Sequence, residues 1–127
     1  MRALVALGIL TLGASMAACG PGDSQRLLRD AVDAKQPSLT SCYASALARD
    51  ESIAGLVRAR LHVDRSTGAV RQAEIIESEV TDETLLACMT GALEGVRLAD
   101  TPKVNLTVDY DFQLVPDGSG SGRVVEQ

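Results

Sequence analysis

Apolar residues recur three or four positions apart soon after the N-terminal segment, a spacing typical of an amphipathic helix. Asp23 and Ser24 precede this run and are good N-cap residues. Pro37 interrupts it, because proline lacks the backbone N–H that a helix interior uses. We therefore predict one broken helix, or two helices, over residues 24–48, with a buried stripe of Leu27, Leu28, Ala31, Val32, Leu39, Cys42, Tyr43, Ala46 and Leu47.

A β-hairpin is predicted next. After Gly55, apolar and other residues alternate, as in a half-buried strand, and the inward row is Val57, Ala59, Leu61 and Val63. Residues 64–68 form a turn in which Gly68 is free to take a positive φ. The return strand covers 69–78 and turns Val70, Ala73 and Ile75 inward. The uneven step from Val70 to Ala73 indicates a β-bulge.

A second helical pattern follows Thr81, which is the expected N-cap. Its buried stripe consists of Leu85, Cys88, Met89, Ala92, Leu93 and Val96. The last strand alternates strictly, with an apolar row at Val104, Leu106, Val108, Tyr110, Phe112 and Leu114. The polar row between them consists of Asn105, Thr107, Asp109, Asp111 and Gln113.

This order predicts an α+β fold over residues 24–115, with a three-stranded antiparallel sheet and two helices covering one face. The Gly- and Ser-rich residues 116–127 offer no recognisable core row, so we predict a disordered tail there.

The N-terminal segment has the layout of a secretory signal peptide. Arg2 supplies the positive charge, Ala3–Leu12 the apolar stretch, and Met16-Ala17-Ala18-Cys19 resembles the lipobox of bacterial lipoproteins. We therefore predict a signal peptide over 1–18, a lipid on Cys19 and a tether over 19–23. The alternative is ordinary cleavage that leaves Cys19 free. The absence of aspartate at Gly20 favours the outer membrane, in the lipoproteins that the segment resembles.

The composition and net charge of the chain disfavour some classes of binding partner. The chain has 127 residues, a formal charge of −5 and only two tyrosines and one phenylalanine as aromatics. Residues 19–127 hold 11 basic and 17 acidic residues, a net charge of −6, because Arg2 is the one charged residue before them. An acidic surface with few stacking side chains disfavours nucleic acids, and its charge also disfavours anionic lipid heads. Attachment to a membrane is therefore expected through the lipid.

Cys42 and Cys88 lie on the two helical stripes that cover the same sheet face, so their side chains can meet. Export would place them in an oxidising compartment, which favours a structural disulfide. Two buried free thiols are the first alternative. Redox chemistry or a metal site is the second, although the cysteines lack Cys-x-x-Cys spacing and a metal would need His62 from the other strand face.

Several of these features together resemble the C-terminal domain of TonB-like proteins, specifically the AgmX/PglI C-terminal type. They are Cys42-Tyr43-x-x-Ala46-Leu47, Gly55-Leu56-Val57, the hairpin from Val63 to Val70, Cys88, and the last strand through Tyr110 and Phe112. The resemblance covers residues 38–115 and implies a periplasmic, non-enzymatic domain that binds other envelope proteins. TonB pairs its last strand with a peptide of an outer-membrane receptor.

By that resemblance, Asn105, Thr107, Asp109, Asp111 and Gln113 flank a candidate edge for strand addition. The sequence shows neither the inner-membrane helix nor the Pro-rich spacer of TonB energy transducers, so we expect no energy transduction.

No catalytic, metal-binding or cofactor-binding set stands out in the sequence, and we expect neither a cofactor nor a small-molecule substrate. The single histidine, His62, is expected on the solvated face. Two of the three carboxylates Glu74, Glu77 and Glu79 could form an acid–base pair, and Asp109 with Asp111 could bind a cation. Both groups are better explained as solvated strand residues.

We expect a lipid-anchored adaptor that binds an envelope protein, with a purely structural envelope lipoprotein as the alternative.

Overall fold

The computed structural model describes residues 21–127, so the predicted signal peptide and Cys19 lie outside the described part. In that part the elements are α1 (Pro21–Asp33), α2 (Gln36–Arg49), β1 (Gly55–Val63), β2 (Val70–Ser78), α3 (Glu83–Glu94), β3 (Leu106–Pro116) and β4 (Gly122–Glu126). The strands form one antiparallel sheet in the order β2-β1-β3-β4. The α+β class is confirmed. The described residues form four strands and three helices, whereas three strands and two helices were predicted.

The predicted break at Pro37 separates two helices. Pro37 lies in the first turn of α2, where a missing N–H removes no helical hydrogen bond. At the other end, α1 begins at Pro21, so Pro21–Asp23 of the predicted tether are helical. In α3 the N-cap is Asp82 rather than Thr81, because the Asp82 carboxylate accepts a hydrogen bond from the Leu85 N–H at 2.8 Å.

The centre of the sheet is the long pairing of β1 with β3, which runs from Gly55↔Leu114 to Val63↔Leu106. On its other side β1 pairs with β2, which carries two extra residues. Arg71 is the extra residue of the predicted bulge between Val70 and Ala73, and Ile76 marks a second bulge that the sequence pattern did not reveal.

All three helices cover the same face of the sheet, because their buried stripes and the inward strand rows form one apolar cluster. Tyr43, Phe112 and Leu61 are fully buried there, and the described residues include no buried charged or polar residue. The opposite face carries the polar strand rows and faces solvent.

The fourth strand lies in residues 116–127, where a disordered tail was predicted. The glycines and serines of this segment form a tight hairpin rather than a flexible tail. Asp117 accepts from the Ser119 N–H at 2.9 Å, its own N–H donates to the Ser121 carbonyl at 2.9 Å, and Gly118 and Gly120 both have φ +83. The returning chain then pairs with β3 from Phe112↔Glu126 to Pro116↔Gly122 and buries Val124.

Candidate strand-addition site

The predicted edge row lies only partly along an edge of the sheet, because β3 lies between β1 and β4 and β4 pairs with its second half. Asn105 precedes β3, and its side-chain oxygen accepts a hydrogen bond from the Arg65 N–H at 3.2 Å. Gln113 is covered by β4 through its pairing with Val125. Asp111 is covered as well, because its carbonyl accepts a hydrogen bond from the Gln127 N–H at 2.9 Å. The prediction that the whole row flanks a free edge was therefore wrong for these three positions. The cause is the unforeseen strand β4.

The two aspartates of the row are held by arginines of the neighbouring strand. Arg58 donates to both Asp111 carboxylate oxygens at 2.6 and 3.0 Å, and Arg60 donates to both Asp109 oxygens at 2.8 and 3.0 Å. These hydrogen bonds hold the pKa of both carboxyl groups below the ordinary value. The aspartates share one strand face, as predicted, but their charges are compensated by arginine rather than available to a cation.

The polar network extends across β1 to β2. Arg58 also contacts Glu77 at 3.1 Å, and the His62 ring lies 3.2 Å from Glu74 and 3.3 Å from the Thr107 hydroxyl. The ion-pair side chains are 24–65% exposed, so each pair contributes little to stability by itself. Together they link the side chains of the polar face into one network, in which two arginines balance two of the four carboxylates.

Only the second half of β3 is covered by β4. The N–H of Gln127 donates to the Asp111 carbonyl, and that of Asp117 donates to Ser121. In an antiparallel pair the backbone groups of alternate residues face the same neighbour, so those of Thr107 and Asp109 also face the β4 side. No described strand pairs with Leu106–Tyr110 on that side. We call Leu106–Tyr110, viewed from this side, the open stretch.

The apolar row is also incompletely covered at the open stretch. Tyr110, Phe112 and Leu114 are buried, whereas Leu106 and Val108 are only half-buried. Val104 just before the strand is 54% exposed, and Leu27 of α1 is half-buried. The open stretch therefore combines unpaired backbone groups with an apolar strip on the helix side.

The other free edge of the sheet, β2, is less suited to regular pairing. Its two bulges interrupt the even spacing of its outward backbone groups, a common protection of edge strands. Its first residues are also covered, because the Val70 N–H donates to the Val96 carbonyl at 3.0 Å and the Leu98 N–H to Gly68 at 2.8 Å. The open stretch of β3 is therefore the edge where unpaired backbone N–H and C=O groups follow one another at regular spacing.

A disulfide joins Cys42 of α2 to Cys88 of α3, as predicted, with the Cα atoms 5.8 Å apart. Cys42 is buried, but Cys88 is exposed rather than part of the buried stripe. The bridge therefore lies at the outer side of the helix layer. It holds the two helices together across a sequence separation of 46 residues.

The carboxylates that could have served acid–base chemistry have structural partners. Glu74 and Glu77 belong to the polar network, and Glu79 accepts the Leu56 N–H at 2.8 Å. A cavity of about 350 Å³ brings Glu79 near Asp50 and Asp82, but hydrogen bonds from Ser52 and Leu85 lower the pKa of those two aspartates. Among residues 21–127 no group of three or more His, Cys, Asp and Glu side chains could hold a metal.

One polar cluster was missed by the sequence reasoning, because it lies partly in the predicted tail. Glu126 of β4, Arg29 of α1 and Tyr110 of β3 line a cavity of about 140 Å³. Burial and the influence of the Asp33 carboxyl group raise the pKa of Glu126 to about 7, and the positive charge of Arg29 opposes this rise. The sequence signal here is weak, because the two β-branched residues Val124 and Val125 favour a strand but residues 123–126 do not alternate.

Comparisons of the chain with protein-family models, with curated proteins and with solved structures find no match. The resemblance to a TonB C-terminal domain therefore stays a prediction. Within residues 21–127, no helix has the length and apolar character needed to cross a membrane. The lipidation of Cys19 concerns a residue outside the described part.

Proposed function

We propose that this chain is a lipid-anchored bacterial envelope protein that binds another envelope protein by strand addition and acts as a non-enzymatic adaptor. The observation that carries the proposal is the open stretch of β3, where Thr107 and Asp109 turn backbone groups toward a side that no described strand occupies. The sequence resemblance to TonB C-terminal domains of the AgmX/PglI type supports the same mode of binding.

The open stretch would accept a short extended segment of the partner. Five residues of strand extend over about 16 Å, and two of them facing outward offer about four backbone hydrogen bonds. Alternate side chains of the added segment would rest on Leu106 and Val108, which are half-buried now. The expected partner segment is thus extended and carries apolar residues at every second position.

The proposed location is the periplasmic side of a membrane, with the outer membrane favoured, through a lipid on Cys19. Two features support it: the signal-peptide and lipobox pattern, and the Cys42–Cys88 disulfide, which suits an oxidising compartment. Mass spectrometry of the protein purified from membranes would test this part. We expect a mature N-terminus at Cys19 carrying acyl groups. A chain that retains Met1 would contradict it.

Photocrosslinking in intact cells would test the binding proposal. A photoreactive residue at Thr107 should give a discrete adduct with one envelope protein. The matched control is Gln72, a polar residue of the bulged edge strand β2, which should not give that adduct. An identical pattern at both positions, or no adduct with an envelope protein at Thr107, would reject strand addition and favour a purely structural lipoprotein.

A further inference from the structure

The two cysteines of the disulfide differ in their access to solvent. Cys42 is 6% exposed and belongs to the apolar core cluster, whereas Cys88 is exposed on the outer side of α3. A disulfide is exchanged when a thiolate attacks one of its sulfur atoms, and access is one of the factors that decide which sulfur reacts. Of this pair, Cys88 is the residue that an incoming thiolate can reach while the protein stays folded.

The helix surface around the bridge is open. Residues three or four positions from a helical residue are its neighbours on the helix surface. The exposed neighbours of the two cysteines at these spacings are all small and uncharged: Ser38, Ser45, Thr84 and Gly91. At Gly91, three positions after Cys88, an added Cβ would meet no atom of the described residues within 4 Å. No bulky neighbour on either helix therefore shields Cys88.

Charge does not hinder the approach of a thiolate from these two helices. Arg49, the last residue of α2, is the one charged residue of that helix, and α3 carries its charges at its two ends, Glu83 and Glu94. Carboxylates beside Cys88 would repel a negatively charged thiolate. Although the chain as a whole is acidic, the sequence places no carboxylate within the middle turns of α2 or α3.

We propose that Cys88 is a thiol-exchange site at which an incoming thiolate forms a mixed disulfide with this chain. The thiolate comes from a small thiol such as glutathione or from an exposed cysteine of another protein. Its sulfur bonds to the Cys88 Sγ atom while the Cys42–Cys88 bond breaks, and the electron pair of that bond leaves with Cys42 as a thiolate. The incoming sulfur is oxidised as Cys42 is reduced, so no further oxidant takes part. The inference goes beyond strand addition and does not depend on it.

The two cysteines have different roles in this exchange. Cys88 carries the incoming thiol, and the covalent link between α2 and α3 across 46 positions is opened. Cys42 stays at its buried position beside Cys88, where it can attack the mixed disulfide, expel the thiol and restore the bridge. Cys42 is thus the resolving cysteine of a reversible modification.

Gly91→Leu and Gly91→Ala form a matched pair of variants. A helical side chain leans over the preceding turn, so leucine at position 91 covers Cys88 whereas alanine is too short. Both residues are good helix formers, so the two variants should have similar stability. The rate at which reduced glutathione opens the bridge should be about tenfold lower with leucine than with alanine, because access to the attacked sulfur is reduced. Equal rates would show that the bond is reduced only after unfolding and would overturn the proposal.

Peptide mass spectrometry of the folded wild-type chain tests which sulfur reacts. The protein is treated with reduced glutathione, or with reduced thioredoxin that lacks its resolving cysteine, and free thiols are then blocked with N-ethylmaleimide. We expect glutathione on Cys88 and maleimide on Cys42. A thioredoxin adduct at Cys88 as well would show that protein thiols reach the site, and glutathione alone would assign it to small thiols. An adduct on Cys42, or none on the folded chain, would overturn the proposal. A missing Thr107 crosslink would overturn the proposed function and leave this result unchanged.

Discussion

The aromatic ring of Tyr43 in α2 lies directly against the backbone of Gly122, the first residue of β4. A Cβ atom at position 122 would overlap this ring and would approach the Val115 carbonyl oxygen to 2.8 Å. The ring itself is fully buried, and its hydroxyl donates to the Ile53 carbonyl at 2.6 Å. The first residue of β4 is therefore fitted to α2, and only glycine leaves room for this contact.

The contact predicts an opposite effect of the same substitution at two glycines. Gly122→Ala should destabilise the protein by about 1–3 kcal/mol, the typical cost of overpacking a core. Gly91→Ala is the control, because nothing lies within 4 Å of its added Cβ in α3. That change should stabilise by about 0.5–1 kcal/mol through helix propensity. Denaturant unfolding measures both, and a harmless Gly122→Ala would contradict the packing of β4 against Tyr43.

The disulfide predicts a redox-dependent stability. Cys88→Ser should lose roughly 4 kcal/mol, the chain-entropy value for a loop of this length. The same loss is expected for Cys42→Ser under oxidising conditions. In the presence of a thiol reductant, the wild type and the Cys88→Ser variant should have nearly equal unfolding midpoints. A reductant-independent difference between them would show that packing, not the bond, stabilises the α2–α3 contact.

The arginine–aspartate pairs on the polar face predict a specific loss of stability in acid. The pKa of Asp111 is lowered by the Arg58 hydrogen bonds, so its contribution is present above the unfolded pKa and is lost as the pH falls through the folded value. Asp111→Asn should therefore differ from the wild type at pH 6 and converge with it below the folded pKa. Urea midpoints from pH 2 to pH 6 test this, and a constant difference down to pH 2 would contradict it.

Proline substitutions at neighbouring positions of β3 distinguish the backbone N–H groups that face β1 from those that face the β4 side. Thr107→Pro removes an N–H of the open stretch that no strand of the described residues pairs with, so the domain should stay folded. Partner capture should fall at least tenfold, because the added strand loses this donor. Val108→Pro removes an N–H that faces β1 and should unfold the sheet. Thr107→Ala keeps the N–H and is the binding control. Melting curves and crosslinking yields give the readout, and normal capture by Thr107→Pro would exclude backbone pairing there.

The sequence pattern predicted the elements with strong periodicity and missed the one without it. The alternating rows of β1 and β3 and the stripes of α2 and α3 are long enough to identify each element, and they also brought Cys42 and Cys88 together. β4 is only five residues long and places just Val124 in the core. Its position depends on the Asp117–Ser121 hairpin and on Tyr43, which are contacts that no local pattern shows.

The error at β4 carried over to the candidate site. Without β4 the last strand becomes an edge along its whole length, so all five polar residues were assigned to that edge. Because β4 covers Gln113 and its neighbours, the free edge of β3 is limited to the open stretch, Leu106–Tyr110. The pairing of Asp109 and Asp111 with arginines could not be predicted either, because it depends on the register of β3 against β1.

Amide exchange at Thr107 and Asp109 tests the central proposal most directly, because it reports on the backbone groups that strand addition uses. In the free anchored protein these two amides should exchange much faster than those of Val108 and Tyr110, which face β1. After binding of the envelope protein captured at position 107, both should slow by at least tenfold. Rapid exchange that persists in the complex would show that the partner binds elsewhere and would contradict pairing at this edge.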